Sequence, residues 1–209
     1  AGGWRAAGVL ADGVLRAQNS STVKRVFAPK AAGAWALQQA AATSPLDTYV
    51  LFSSIATLIG GGGQSNYAAA NGMLDSLGAC RRTRAMNATS VEWGPWAAVG
   101  MAADESINAR IQASGIGLIS LEQGTLAFQA TLQPAVSGVM SLVVLTWSKF
   151  LSLLPEVPPL MSAFASYKKA AGGAASPEEE PPPAADDGSL WRCEFCAFMG
   201  SYDAVCEHE

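Results

Sequence analysis

The spacing of hydrophobic residues predicts alternating helices and strands along most of the chain. Residues 20–42 read as one amphipathic helix, which Pro29 is expected to kink. The positions of its buried stripe recur every three or four residues, at Val23, Val26, Phe27, Lys30, Ala34 and Leu37. Runs of β-branched and aromatic residues predict strands at 48–53, 88–93 and 139–145. Longer periodic segments predict helices at 64–86, 104–114 and 120–132. This alternation predicts an α/β fold in which helices cover both faces of a parallel sheet.

The character of the sequence changes at about residue 170. Residues 172–190 contain four prolines and five acidic residues with almost nothing to bury, so a disordered acidic linker is expected over 170–190. The last residues, 191–209, are again aromatic and are rich in cysteine, which predicts a separate small unit after a folded domain at 1–169. Up to residue 171 there are twelve Lys and Arg against eight Asp and Glu, and no basic patch of the nucleic-acid-binding type.

The tail carries a candidate metal site. Cys193, Cys196, Cys206 and His208 could supply four ligands to a tetrahedral zinc ion, although the Cys206-x-His208 spacing is tighter than in most zinc fingers. One alternative is a finger formed by Cys193, Cys196 and His208 with its fourth ligand beyond Glu209. The other is a tail that binds no metal. Crowded cysteines of this kind favour a reducing compartment. Since there is no signal-peptide pattern and no apolar run of membrane-spanning length, an intracellular, cytoplasmic protein is expected.

Polar residues fall at several positions where chemistry is favoured. Lys30 lies on the buried stripe of its helix, so it is either a lysine whose amine reaches solvent or a cation directed at a site. Ser53 and Ser54 end a predicted parallel strand, the end at which such sheets bind ligands, although serines also simply terminate strands. Tyr67 and Asn71 are four apart and share one helix face, where such a pair usually serves packing.

These residues have a chemical interpretation when they are taken together. The single histidine, His208, lies in the tail, which excludes a Ser-His-Asp triad in the folded domain. Tyr67 is then the available general acid, and because a tyrosine pKa is ordinarily about 10, a cation such as Lys30 is needed to lower it. Ser54 would hydrogen-bond the carbonyl oxygen that Tyr67 protonates while a hydride reaches the carbon, and Asn71 would orient that group or a water. The set predicts a carbonyl reductase.

The sequence resembles the C-terminal part of the ketoreductase domain of modular polyketide synthases, which belongs to the short-chain dehydrogenase/reductase superfamily. The resemblance covers roughly residues 4–168. Most members of the superfamily have a tyrosine and a lysine four residues apart. Synthase ketoreductases have asparagine there and a lysine in a Pro-Lys pair on the preceding helix, as this chain has in Asn71 and Pro29-Lys30. The matching stretches are AAGVLADG (6–13), APKAAGAW (28–35), VLFSSIATLIGGGGQSNYAAAN (50–71), RRTRAMNATSVEWGPWAAVGMA (81–102) and TWSKFLSLLPEVPPL (146–160).

The resemblance implies both a reaction and a set of residues for it. The reaction is NADPH-dependent reduction of the β-keto group of a polyketide or fatty acyl chain, which an acyl carrier protein delivers on its phosphopantetheine arm among other synthase domains. The residues that match the catalytic set are Lys30, Ser54, Tyr67 and Asn71. Positions that border the cofactor are Ser53, Gly94, Pro95 and Trp96 at the nicotinamide and Ala6, Ala7 and Gly8 at the ribose and adenine side.

A product configuration is also implied by the resemblance. One class of synthase ketoreductases carries an aspartate that ends a Leu-Asp-Asp motif, and the other class carries a tryptophan ahead of the tyrosine. Here Asp12 keeps the final aspartate, Ile59 occupies the tryptophan position, and Asn66 directly precedes Tyr67. The expected product of the complete domain is therefore the D-hydroxy (3R) alcohol.

The sequence departs from the family in two ways. Arg5 stands where a histidine usually precedes the Ala-Ala-Gly segment. The chain starts at Ala1 without a methionine and has no GxGxxG turn for a pyrophosphate, so we expect the N-terminal half of the domain to be missing and the chain alone to be inactive. A non-catalytic structural fragment and a zinc-dependent interaction module are the alternative functions.

Overall fold

A computed structural model of the chain describes residues 2–43, 46–97, 105–133 and 136–168. Among these residues no helix combines the length and the apolar character that crossing a membrane would need. The strands are β1 (Gly2–Arg5), β2 (Thr48–Ser54), β3 (Thr89–Trp93), β4 (Ile116–Gly117), β5 (Val139–Leu142) and β6 (Val144–Leu145). The α-helices are α1 (Ser20–Phe27), α2 (Gly33–Ala40), α3 (Ala56–Ile59), α4 (Ser65–Thr83), α5 (Glu105–Ala113), α6 (Leu121–Thr131) and α7 (Trp147–Ser152).

A four-stranded parallel sheet in the order β1-β2-β3-β5 forms the centre of the fold. One face of β2 packs against α2 and α4, with Tyr49, Leu51 and Leu74 buried between them. The opposite face packs against α6, where Val50 and Val91 are fully or almost fully buried. Helices therefore cover both faces, and the predicted α/β fold with a Rossmann-like parallel sheet is confirmed.

The long helix α4 lies unusually close to the sheet at Gly78. A Cβ at this position would lie 2.6 Å from the carbonyl oxygen of Gly138 and 3.2 Å from the backbone nitrogen of Ser90. Both neighbours are fixed by the start of the β3 and β5 pairing, so a side chain at Gly78 would force the helix away from the strands. This contact sets the height of the whole of α4 above the sheet.

The predicted helix over 20–42 consists of three segments. Asn19 caps α1 through a capping box with Thr22, a π-helical turn (Ala28–Ala32) contains Pro29, and α2 follows directly from that turn. The prediction of a kink at Pro29 thus corresponds to a wide turn, which is a common way to accommodate a residue that cannot donate a backbone hydrogen bond. The predicted strand at 139–145 is likewise interrupted, because Val143 separates β5 from β6.

The chain divides into two compact units, 1–144 and 145–209. In the second unit α7 is followed by a 3₁₀ segment (Pro159–Tyr167), and the rings of Trp147 and Phe164 stack with centroids 3.9 Å apart. Lys168 Nζ donates to the carbonyl oxygens of Leu154 and Pro155 at 2.7 and 2.9 Å. The predicted linker at 170–190 and the predicted small unit at 191–209 lie outside the described residues.

Candidate active site

A cavity of about 650 Å³ opens where three neighbouring strands end. β1 ends just before Ala6 and Gly8, β2 ends at Ser54, and β3 ends just before Gly94. The carboxyl ends of adjacent parallel strands are where open α/β sheets bind ligands, because the loops that follow them diverge. The residues that line this cavity include Lys30, Ser54 and Tyr67 from the predicted catalytic set.

Lys30 is buried beneath this cavity, with only 3% of its surface exposed. The π-helical turn directs its ammonium group to the carbonyl oxygen of Phe52 at 3.0 Å and places it 5.3 Å from the centroid of the Tyr67 ring. Burial lowers the pKa of Lys30 from 10.5 to about 8, the negative charge of Asp75 opposes this shift, and the positive charge of Arg5 adds to it. The alternative of a lysine whose amine reaches solvent is therefore wrong.

Tyr67 lies in the first turn of α4, and 6% of its surface is exposed. The side chain of Asn66 accepts a hydrogen bond from the Tyr67 backbone nitrogen at 2.8 Å, and Asn71 Nδ2 donates to the Tyr67 carbonyl oxygen at 2.9 Å. Asn71 is fully buried and is not among the residues that line the cavity, so it holds the helix turn behind the tyrosine.

The electrostatic environment of Tyr67 differs from the one expected from the sequence. Burial raises the pKa of its hydroxyl, hydrogen bonding to Ser54 and Asn71 partly offsets the rise, and the charge of Asp12 adds to it. The net pKa of Tyr67 is therefore raised and not lowered as the sequence predicted, even though Lys30 lies close to its ring. The Lys30 ammonium contacts the ring and the Phe52 carbonyl oxygen, and desolvation of the phenolate outweighs its attraction.

The residues predicted to control stereochemistry lie at one rim of the cavity. Asn66 Nδ2 donates to the carbonyl oxygen of Ala11 at 2.9 Å, and Gln64 Nε2 donates to Asp12 Oδ2 at 3.1 Å. The backbone nitrogen of Gly13 bonds to the carbonyl oxygen of Gly63 at 2.9 Å, and Gly63 has a left-handed φ of +75° that favours glycine. These bonds fasten the segment that contains Asp12 to the glycine-rich segment that precedes α4.

Most of the positions predicted to border a cofactor also line this cavity. Ala6, Gly8, Ser53 and the Gly94-Pro95-Trp96 segment line it, whereas Ala7 is not among the lining residues. The rings of Phe52, Trp93 and Trp96 follow one another with centroids 5.5 and 5.0 Å apart and tilts of 31° and 52°, which makes one wall aromatic. The indole nitrogen of Trp93 is buried and has no acceptor among the described residues. An aromatic ring that bears a hydrogen-bond acceptor, such as a nicotinamide with its carboxamide, fits this wall.

Some lining residues were not predicted as site residues. Helix α5 contributes Arg110 and Ile111, and Ser114 directly after it also lines the cavity, although the sequence predicted only a helix here. Arg5 was noted only as a departure from the family, yet its guanidinium donates to the Pro29 carbonyl oxygen at 2.5 Å and so contacts the turn that carries Lys30. A cation at the last position of a strand, directly before a loop of small residues, is the signal that could have identified it.

No group of three or more metal-ligating side chains occurs within the part of the chain that the structure describes. The predicted zinc ligands Cys193, Cys196, Cys206 and His208 lie outside that part. Zinc binding by the tail remains a prediction from the sequence.

The lowered pKa of Lys30 predicts a pH-dependent stability. Between pH 8 and 10.5 the folded chain binds fewer protons at Lys30 than the unfolded chain, so the free energy of unfolding should rise with pH by up to about 1 kcal/mol per pH unit. This stabilisation is lost as the pH falls through 8. Urea denaturation at several pH values should show the rise in the wild type and not in Lys30→Met. Lys24→Met, at an exposed lysine of α1, is the matched control, and equal slopes in the wild type and Lys30→Met would contradict the assignment.

Known proteins with similar sequences support one family. Residues 1–98 match the KR domain family model. The spectinabilin polyketide synthase system protein NorB of Streptomyces orinoci is 45% identical over 129 residues, which are 60% of this chain and 6% of NorB. A phenolphthiocerol/phthiocerol polyketide synthase polypeptide of Mycobacterium tuberculosis is 41% identical over 153 residues, which are 69% of this chain and 7% of that polypeptide.

Solved structures give the same result. The ketoreductase from the first module of phoslactomycin biosynthesis in Streptomyces sp. HK803 superposes with a TM-score of 0.72 at 32% identity, over 78% of this chain and 38% of that one. A structure of A-type ketoreductases from a modular polyketide synthase superposes with a TM-score of 0.69 at 30% identity, over 81% of this chain and 34% of that one. The chain thus spans a small fraction of the length of these synthases and about a third of the ketoreductase structures, and it belongs to the ketoreductase domains of polyketide synthases, within the short-chain dehydrogenase/reductase superfamily.

Proposed function

We propose that this chain carries the proton-donating half of a site that reduces the β-keto group of an acyl chain to a β-hydroxyl group, with NADPH as the reductant. The observation that supports this most strongly is the convergence of Ser54, Tyr67 and Lys30 on one cavity at the ends of parallel strands. A serine hydroxyl, a tyrosine hydroxyl and a buried cation together can hydrogen-bond, protonate and electrostatically stabilise a carbonyl oxygen as it gains negative charge.

The roles of the residues follow from their environments. Ser54 donates a hydrogen bond to the carbonyl oxygen, and the Tyr67 hydroxyl transfers its proton to the same oxygen as the alkoxide forms. Because burial raises the pKa of the resting Tyr67, the proton stays on this hydroxyl until the substrate oxygen becomes strongly basic. The phenolate that remains is then stabilised by Lys30, whose pKa of about 8 keeps it mostly charged at neutral pH.

The cofactor would meet the chain at its nicotinamide end. NADPH, when bound, supplies the hydride to the carbonyl carbon. Ser53 and the Gly94-Pro95-Trp96 segment would hold the nicotinamide against the aromatic wall, and Ala6 and Gly8 would approach the ribose. The sequence contains no GxGxxG turn, so we propose that the pyrophosphate is bound outside these 209 residues and that the chain alone does not reduce ketones.

The substrate and partners proposed here rest on the family. An acyl carrier protein would present a polyketide or fatty acyl β-ketothioester on its phosphopantetheine arm, and other synthase domains would supply and receive that chain. The cavity is partly lined by apolar side chains, such as Ile55, Ile59 and Ile116, which suits an acyl chain.

The first prediction concerns the proton donor. Joined to the N-terminal segment of a matching ketoreductase, the chain should oxidise NADPH in the presence of an acetoacetyl thioester. Tyr67→Phe should lower kcat in this protein by about a hundred- to ten-thousand-fold, because the general acid is removed. Tyr167→Phe, in the second unit, is the control and should keep the wild-type kcat. A Tyr67→Phe variant with wild-type turnover would eliminate Tyr67 as the donor.

The second prediction concerns the product. We propose that the segment containing Asp12, which Asn66 and Gln64 fasten to the cavity rim, admits the thioester arm from the side that gives the D-hydroxy (3R) alcohol. Chiral chromatography of the product from the joined protein should show mainly this enantiomer. An excess of the L-alcohol would contradict the assignment of Asp12 and Asn66.

A further inference from the structure

A layer of polar side chains lies between α4 and the sheet, where an α/β protein normally buries aliphatic residues. Ser53 of β2, Ser90 and Glu92 of β3, and Ser141 of β5 are on the sheet side of this layer. Asp75 of α4 is on the helix side, and Glu92 is only 5% exposed. Two carboxyl groups buried in such a place destabilise the fold unless each is paired. Buried carboxyl groups of this kind often have a functional role.

Asp75 connects α4 to the central strand β3. The Ser90 hydroxyl, on a residue that is fully buried, donates to Asp75 Oδ1 at 2.6 Å. The other carboxylate oxygen, Oδ2, is buried and has no hydrogen-bond partner among the described residues. An acceptor oxygen in that position needs a proton from a neighbouring group.

Glu92 is the group that can supply this proton. The Ser141 hydroxyl donates to Glu92 Oε2, and Asp75 and Glu92 interact through their side chains. Burial and, to a smaller extent, the charge of Asp75 raise the pKa of Glu92 to about 7, and the hydrogen bond from Ser141 acts against this rise. Burial also raises the pKa of Asp75, and the hydrogen bond from Ser90 offsets part of that rise. Below about pH 7 Glu92 is protonated, so the pair can hold a proton between the two carboxyl groups.

The carboxyl pair lies directly behind the catalytic residues on the same helix face. Tyr67, Asn71 and Asp75 follow one another at intervals of four residues. Ser53 donates to the Asn71 carbonyl oxygen at 3.4 Å, and Thr57 Oγ1 donates to the Ser54 carbonyl oxygen at 2.6 Å. The Ser53 and Thr57 hydroxyls, which lie near Asp75, thus bond to the segments that carry Asn71 and Ser54.

We propose that Asp75 and Glu92 hold one proton between them and act as a positioning pair for the reaction proposed above, fixing α4 on the sheet so that Tyr67 and Asn71 keep their places at the cavity. Neither residue touches the substrate in this role. The expected effect on turnover rests on the proposed function. The shared proton does not depend on it.

Loss of the shared proton sets the pH range in which the pair can work. Once Glu92 ionises, two carboxylates face each other between α4 and β3, and the repulsion favours a helix that opens from the strand. Among the described residues, the other charged group that faces the pair is Lys30, from the π-helical turn, since β2 and β5 contribute only the uncharged Ser53 and Ser141. Lys30 attracts Asp75, but it is already engaged with the Phe52 carbonyl oxygen and cannot replace the missing proton.

Amide hydrogen exchange of the 209-residue chain tests the shared proton without any assay of activity. After correction for intrinsic exchange, the protection of α4 amides in the wild type should fall at least about tenfold between about pH 6 and about pH 8. Glu92→Gln keeps a donor for Asp75 but does not titrate, so its protection should stay level. Asp75→Asn provides a second variant that removes the anionic neighbour and should also level the profile. Glu122→Gln, an exposed carboxyl of α6, should behave as the wild type.

The turnover of the joined protein tests the positioning role. The wild-type kcat should begin to fall as the pH rises through 7. Glu92→Gln should lose this early part of the fall and keep only the loss that deprotonation of Lys30 causes above about pH 8. The KM of the wild type and that of Glu92→Gln should both stay constant over this pH range. Equal exchange profiles for the wild type and Glu92→Gln would overturn the shared proton, and altered exchange with unchanged kcat profiles would overturn the positioning role. If the wild type does not reduce the thioester, the proposed function fails. The proposal then stands only if the exchange difference includes the amides of Tyr67 and Asn71, and it is overturned if those two amides show none.

Discussion

The close contact between α4 and the sheet at Gly78 is the constraint on which the rest of this structure depends. Because Gly78 has no side chain, the helix reaches the backbone of β3 and the turn before β5. That contact therefore sets the distance of the functional residues of α4 from the sheet. One face of the helix then presents Tyr67 at the cavity, Asn71 one turn behind it and Asp75 a further turn behind, opposite Ser90.

Charge burial explains why this packing concerns function as well as stability. Burial lowers the pKa of Lys30. The Phe52 carbonyl oxygen and the negative charge of Asp75 stabilise its ammonium group in place of water. Arg5 pushes in the opposite direction, so the ammonium lies between an attractive and a repulsive neighbour. A cation held in this balance stabilises a new negative charge on Tyr67 more strongly than a solvated lysine would, because little water remains to screen it.

Much of the fold was predictable because strands and helices in this chain keep regular hydrophobic periods, and β2 and α4 begin within one residue of their predicted starts. The position of Ser54 at a strand end and of Tyr67 and Asn71 on one helix face was predictable because both follow from local geometry. The sequence did not reveal the π-helical turn, the raised pKa of Tyr67 or the contact between Arg5 and Pro29, since each depends on tertiary packing. The Asp75 and Glu92 pair was missed for another reason. Its signal is the serines and the glutamate at alternate positions of neighbouring strands, which becomes visible only when the strands are aligned.

The central claim is that the cavity containing Ser54, Tyr67 and Lys30 is a site of ketone reduction. The most direct measurement is mass spectrometry of the product after the chain, joined to a matching ketoreductase N-terminal segment, reacts with an acetoacetyl thioester and NADPH that carries deuterium at both C4 positions of the nicotinamide. The account predicts a hydroxyacyl product with one deuterium at its C3 carbon. A joined protein that binds NADPH but yields no deuterated hydroxyacyl product would contradict it.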